Sequence, residues 1–504
     1  MMAQADGQLS LSARTARGAG WVVCWRVATR ILGTISTLLL VRLLVPSDFG
    51  LVALGTTFAQ ALDGLSEIGV GNALIREVDI DRAMYDTGFT LAAIRGVTSA
   101  VLIVCCAWPV ASFFGEPRLV GILLALAVGM LISAVENIGV IDFQRDIAFE
   151  KEFGLLLAPR ILGIIACVAV AYVWRSYWAL VVGILTTRGT RLLCTYLMHS
   201  YRPRLSLRAW RRIVGFSFWS WMLAWVSLIS DRTANFVLGR MLGATPVGVY
   251  SIARDVGFMT TTELVLPICR ALFPGLTQVR SRGKDVADAY FRAISATLVL
   301  ALPASVGIAL VADPLVRLAI GPKWIAAIPL LQIFALVGIF RVVTYVGTTL
   351  LTVYGMLQIQ FHGTVVITLI RIVLLIALID RFGLVGSGFA MAAVAILEEA
   401  FYLLVTFHRF NLRPMKLLAT NWRAVIATVV MTGVVFLTKL SFSANPTYGG
   451  FSAQVVAGAL SYAAVLYAVW RVAGQPQGAE SQILSIAWET SRSLRRRWLP
   501  GAWS

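Results

Sequence analysis

The sequence predicts an all-α polytopic membrane protein of about 14 transmembrane helices, arranged as two six-helix lobes plus two extra C-terminal helices. Three observations carry that expectation. Of the 504 residues, 59% are hydrophobic and 13% charged, against roughly 25% charged in a soluble domain. Uncharged runs of about 20 residues recur, as in 96–115 and 293–312, the length that crosses about 30 Å of hydrocarbon at 1.5 Å per residue. None shows the two-residue alternation of a barrel strand. Only helices and closed barrels satisfy their backbone groups inside lipid, so these spans are read as helices.

Apolar segments bounded by Gly, Pro and charge fall at 19–45, 50–75, 88–114, 119–140, 154–174, 179–198, 213–238, 247–275, 289–312, 325–353, 361–380, 384–407, 424–440 and 451–472. The domain expectation follows: a cytoplasmic N-terminal segment at 1–18, an N-lobe at 19–198 and a basic inter-lobe loop at 199–212. A C-lobe at 213–407, two further spans within 408–472 and a basic amphipathic tail at 473–504 complete it. Lys and Arg concentrate in Tyr201–Arg212, His408–Arg423 and Arg492–Arg497. By the positive-inside rule these segments are cytoplasmic, with both termini inside. The net charge of +18 then reflects cytoplasmic loops, and the absence of a basic soluble domain excludes nucleic-acid binding.

The chain repeats itself. Arg42-Leu-Leu-Val-Pro-Ser-Asp-Phe-Gly50 returns as Arg240-Met-Leu-Gly-Ala-Thr-Pro-Val-Gly248, each after the first span of its half, and Gly115-Glu-Pro-Arg118 is echoed by Gly321-Pro-Lys323. Two echoes in the same order indicate duplication, and transporters built from repeats place their site between the halves.

Polar stripes mark the first two spans of each half. The first carries Arg26, Arg30, Gly33 and Thr37, and the second Thr56, Gln60, Asp63 and Glu67, at spacings of three and four that share one helical face. The seventh shows Ser217, Ser220, Ser227, Asp231, Arg232 and Asn235; the eighth shows Ser251, Arg254, Asp255, Thr262, Glu263 and Arg270. Charge in hydrocarbon costs at least about 2.5 kcal/mol per residue, so these faces are expected to line a polar lumen between the lobes. Arginine's planar fork suits phosphate, which points to an anionic headgroup held by Arg26, Arg30, Arg232, Arg254 and Arg270 with Gln60 and Asn235. Asp63, Glu67, Asp231, Asp255 and Glu263 are either ion-coupling groups or fixed partners of the arginines. Arg95, Arg160, Arg188, Arg191, Arg292, Arg341 and Arg371 are read as snorkelling near helix ends.

Enzyme and cofactor signatures are missing. No phosphate-binding G-x-x-x-x-G-K-[ST] loop occurs, Gly69-Val-Gly71 and Gly386-Ser-Gly388 lack a third glycine, and Asp79-Ile-Asp81 reads as a solvated acidic loop. The six cysteines lie in apolar segments and the three histidines are scattered, so neither a disulfide framework nor a metal site is expected.

Ordered fragments through residues 20–410 carry a resemblance. They are Arg42–Gly50, Glu67–Arg76, Gln144–Phe149, Tyr177–Leu180, Asp231-Arg232, Leu238–Gly243, Gly248–Ala253, Phe273–Arg280 and Gly321–Trp324. Together they resemble the Wzx-type polysaccharide transporters of the multidrug/oligosaccharidyl-lipid/polysaccharide flippase superfamily. The resemblance implies a twelve-helix core working by alternating access in a bacterial inner membrane. It implies a polyprenyl-pyrophosphate-linked oligosaccharide as cargo, surrounding membrane lipids, and a polysaccharide polymerase and other assembly proteins as partners. A drug or cation exporter of the same superfamily is the nearest alternative, and a membrane polymerase or ligase a more distant one. The longest outside connection, about a dozen residues at 313–324, is too short for an acceptor domain.

Overall fold

The computed structural model describes residues 28–65, 70–76, 80–146, 148–210, 218–281, 286–442 and 446–475, and all regular elements there are helical. Arg26, Glu67, Ser217 and most of the tail lie outside the described residues, as does the side chain of Arg270. Among the described residues seven helices are long and apolar enough to cross a membrane, from Arg82–Phe114 to Tyr448–Val472. The pair Arg118–Ala134 and Ile138–Arg145, bent by 71°, is an eighth candidate. Among the described residues, each span expected from the sequence overlaps a helix or a helix pair. The chain is an all-α, multi-pass membrane protein.

Two compact units divide at Ser251 and Ile252. The first contains α1 (28–43), α2 (Pro46–Leu65), α3 (Val70–Arg76), α4 (Arg82–Phe114), α5 (Arg118–Ala134), α6 (Asp142–Arg145), α7 (Phe149–Trp174), α8 (Trp178–Met198) and α9 (Phe218–Leu242). Asp81 caps α4 by accepting the Met84 amide at 3.0 Å, satisfying one of the donors a helix start leaves open. Buried Leu40, Leu44, Cys167, Ala171 and Ala179 seal α1 against α7 and α8. Chain order alone assigned α9 to the second lobe. Packing joins it to α2, because Asn235 donates to Thr57 at 2.9 Å, Gly64 faces Leu228 and Gly239 faces Leu54.

The repeated turn shows its meaning here. A Cβ on Gly50 would lie 1.7 Å from the Ala244 carbonyl oxygen, and one on Gly248 would lie 1.9 Å from the Pro46 oxygen. Pro46 and Ala244, like Gly50 and Gly248, occupy equivalent places in the two copies of the motif. Each copy therefore presses its glycine on the other's backbone, the reciprocal contact of a two-fold interface.

The second unit continues through α10 (Ala244–Gly257, which spans the division), a π-helical turn at Thr261–Val265 and α11 (Leu266–Ser281). It then runs through α12 (Val286–Leu310), α13 (Ile328–Val353), α14 (Leu357–Phe410), α15 (Pro414–Ser441) and α16 (Tyr448–Val472). Its core gathers Tyr290, Ile294, Val342, Val346 and Leu350. The 54-residue α14 is two spans in one, broken at Gly383, whose φ of 58° and ψ of −140° are open to glycine and not to an L side chain. The last two spans, which carry no recognisable motif, pack as an appendage. Ala424 of α15 is buried against Val299, and the Tyr462 hydroxyl of α16 donates to the Val299 carbonyl at 2.6 Å. Only 6% of the apolar window of α16 is buried, so its remaining surface meets lipid.

Gly248→Ala should lower the melting temperature of the detergent-purified protein, since the added methyl must force two backbones apart at about 1–3 kcal/mol. Gly433→Ala, whose Cβ meets open space, should leave it unchanged or raise it slightly. Equal behaviour of the two variants would contradict the reciprocal contact.

Candidate functional site

Within the first unit, α2, α4, α8 and the turn after α5 bring together a set of charges that the sequence reading assigned to separate causes. Arg95 Nε lies 3.7 Å from Asp63 Oδ1, and Arg191 Nε lies 3.1 Å from Glu136 Oε2. Arg188 is in electrostatic reach of both carboxylates, and one of its guanidinium nitrogens is 3.3 Å from the Met130 sulfur. Three guanidinium groups thus share two carboxylates. Arg188 is ten residues from either end of α8 (Trp178–Met198), the middle of a helix just long enough to span. The snorkelling account fails for it, because the water-facing ends are about 15 Å away along the axis. Arg95, thirteen residues into α4, belongs to the same cluster. The spacing of Arg188 and Arg191, three apart on one helical face inside a spanning segment, was the available signal.

The expected lumen residues of this unit fall in two groups. Arg30 is half-buried on α1, and Arg160 of α7 reaches the same helix, its guanidinium 2.8 Å from where a Cβ on Gly33 would be. Gln60 is exposed and Asp63 half-exposed on α2, beside the cluster. On α9, Asp231 is exposed and Arg232 half-buried. Asn235 is buried at 2% exposure, with its amide committed to Thr57; it ties two helices together.

In the second unit Arg254 pairs with its exposed neighbour Asp255 at 3.4 Å. Glu263 is exposed on the π turn, a local widening that often re-aims side chains at functional positions. Arg341 stands over the Phe258 ring at 4.7 Å and the Tyr345 ring at 5.7 Å, which screens its charge by cation–π attraction. Arg371 is buried at 6% exposure and pairs with Glu398 at 3.7 Å across the two arms of α14. Beside it, buried Glu399 accepts a hydrogen bond from Thr344 at 2.9 Å. Arg341 and Arg371, also read as snorkelling, are held by aromatic rings and a carboxylate instead. No group of three metal-ligating side chains occurs among the described residues.

Arg371→Ala should destabilise the protein by about 3 kcal/mol, because Glu398 is left without its countercharge in a low-dielectric site. Arg371→Met combined with Glu398→Gln should recover most of that loss in the same thermal-unfolding measurement. A double variant as unstable as the single one would show that the ion pair is not the cause.

Comparison with known proteins follows the same outline. Residues 39–329 match a family described as polysaccharide biosynthesis protein. The lipopolysaccharide biosynthesis protein WzxC of Escherichia coli (strain K12) is 24% identical over 395 residues, covering 77% of this chain and 80% of that one. The succinoglycan biosynthesis transport protein ExoT of Rhizobium meliloti (strain 1021) is 24% identical over 322 residues, covering 64% and 65%. Among solved structures, the lipid II flippase MurJ in an inward closed conformation superposes with a TM-score of 0.72. It is 14% identical, with 89% of this chain and 98% of that one covered, so the fold is shared.

Proposed function

The chain belongs to the polysaccharide biosynthesis protein family, and from that premise we propose that it is a flippase for polyprenyl-pyrophosphate-linked oligosaccharide repeat units. It carries them across a bacterial inner membrane for exopolysaccharide, capsule or O-antigen assembly, exposing the headgroup to the two faces in turn. Both termini are cytoplasmic in this reading, and a polysaccharide polymerase and other assembly proteins receive the cargo. The observation that carries the proposal is the cluster of guanidinium groups inside helices read as spans, where Arg95, Arg188 and Arg191 gather around Asp63 and Glu136.

Positive charge is costly in lipid, and a pyrophosphate entering beside these guanidinium groups would lower that cost. Arg30, Arg232 and Arg254 extend the same chemistry, with Arg26 and Arg270 as further headgroup contacts and Gln60 as a hydroxyl partner for the sugars. The prenyl chain stays in the bilayer, which solvates it at no cost. A cationic drug would meet repulsion from these groups, so the exporter alternative is disfavoured on charge. Nothing in the transfer requires a bond to be made or broken, and the protein acts as a carrier.

For the acidic residues, the distances favour partnership over ion coupling at two places: Asp63 faces Arg95, and Asp255 faces Arg254. Asp231 and Glu263, exposed on their helices, are the better candidates for a coupled proton or sodium ion, together with Glu67.

In cells whose polymer export depends on this protein, Arg30→Ala and Arg254→Ala should each lower export at least tenfold, the loss of one charge-assisted phosphate contact. The corresponding lysine variants should retain part of it. Wild-type export from alanine variants that are made and inserted normally would end the headgroup assignment. In liposomes loaded with a lipid-linked oligosaccharide, Asp231→Asn should abolish the response of turnover to an imposed proton or sodium gradient while Asp63→Asn should not. Turnover indifferent to both gradients in the wild type would remove the coupling role.

A further inference from the structure

The segment after α8 has no regular secondary structure over residues 201–207, yet side chains of other elements hold it. Side chains of α4 take its backbone amides: Arg204 N–H donates to Asp86 at 3.1 Å, Ser206 N–H to Thr90 at 2.8 Å and Ala209 N–H to Thr87 at 3.1 Å. The Tyr201 hydroxyl donates to Asp86 at 2.5 Å, and Asn137 donates its amide to the Tyr201 carbonyl at 2.7 Å. Asp86, Thr87 and Thr90 are buried. Burial, and then the hydrogen bond to Asp86, hold the Tyr201 phenol well above its ordinary range, so it remains a donor at any cellular pH. Residues 201–209 form a strap fastened along the start of α4.

What the strap turns outward is not what water selects. Leu205 is 77% exposed, and Leu207 and Trp210 are about half exposed. Arg204 and Arg208 are exposed beside them, and no partner of either guanidinium is found among the described residues. Arg202, by contrast, is spent on the carbonyls of His199 and Tyr201 at 2.8 and 2.9 Å, where it caps the end of α8.

The depth of the strap follows from α8, a 21-residue helix that at 1.5 Å per residue just covers the hydrocarbon. With 179–198 as an expected span, the chain leaves the apolar layer near Met198, and the strap begins three residues later. Beside it the chain after α5 bends by 71° into 138–145. His199 Nε2 joins the two segments, 3.3 Å from Asp142. Leucine and tryptophan alternating with arginine at that level is the composition of an interfacial lipid contact.

We propose that the strap is a binding site for anionic phospholipid headgroups, with Arg204 and Arg208 taking the phosphates and Leu205, Leu207 and Trp210 entering the acyl boundary. The charge complementarity commits the occupant to lipid, because a soluble acidic peptide would pair with the arginines and leave the leucines wet. With the N-terminus cytoplasmic, the leaflet is the inner one. The site is independent of the cargo, so it stands or falls apart from the transport reading.

The test uses the full-length purified protein in mixed micelles titrated with phosphatidylglycerol or phosphatidylcholine. It is read by native mass spectrometry for retained lipid and by melting temperature for folding. The wild type should retain phosphatidylglycerol preferentially and gain thermal stability from it. Arg204→Gln/Arg208→Gln should bind it about twenty-fivefold more weakly, each arginine near a lipid surface being worth about fivefold, with an unchanged melting temperature in phosphatidylcholine. A surface control, Arg175→Gln, should keep the preference. Equal retention of the two lipids by the wild type would overturn the proposal, as would an undiminished preference in the double variant. A wild type that binds a polyglutamate peptide while ignoring phosphatidylglycerol would overturn it in favour of a protein partner.

Discussion

The cost of carrying guanidinium groups into a layer that cannot solvate them organises this molecule. Helices supply their own backbone hydrogen bonds, so lipid tolerates them; an arginine has no such internal remedy. At Arg95 the remedy is a carboxylate from another helix, at Arg191 one from the turn after α5, and at Arg341 a pair of aromatic rings. At Arg371 it is a carboxylate brought back by the break at Gly383. Each solution binds two helices, or two arms of one, at a fixed register. Arg188 is in reach of the same Asp63 and Glu136 that Arg95 and Arg191 approach.

A second constraint acts where helices must touch without side chains. Gly50 and Gly248 place each repeat's helix start against the other's carbonyl oxygens, and no side chain larger than hydrogen fits at either position. The reciprocity follows from duplication: two copies of one turn contact each other through equivalent atoms. The same economy recurs along α9, where Gly239 admits Leu54 and Phe114. Polar ties such as Asn235 to Thr57 then select one register among those that small residues permit.

The loop between the repeats has a fixed path although it has no regular structure. Its amides are satisfied by Asp86, Thr87 and Thr90 of α4, residues that look out of place in a spanning helix until their acceptor role is seen. Thr87 and Thr90 donate their own hydroxyl hydrogens to α4 carbonyls at 2.6 and 2.7 Å, leaving lone pairs for the strap.

Hydropathy and length by themselves determined that the chain is helical and that it spans the membrane many times. Those properties depend on the transfer of short segments from water to lipid, and a segment carries that information locally. The repeat was legible for the same reason, in two nine-residue turns. Tertiary structure alone decided which charges meet. Arg188 and Glu136 are separated by 52 positions, Arg95 and Asp63 by 32, and nothing in the sequence spacing tells a snorkelling arginine from one that has a partner on another helix. It also decided that α9 packs with the first unit, that Asn235 locks helices, and that the basic loop is a strap. Pairing energies of a few kcal/mol depend on distances of 3 to 4 Å, and only the packed helices set those distances.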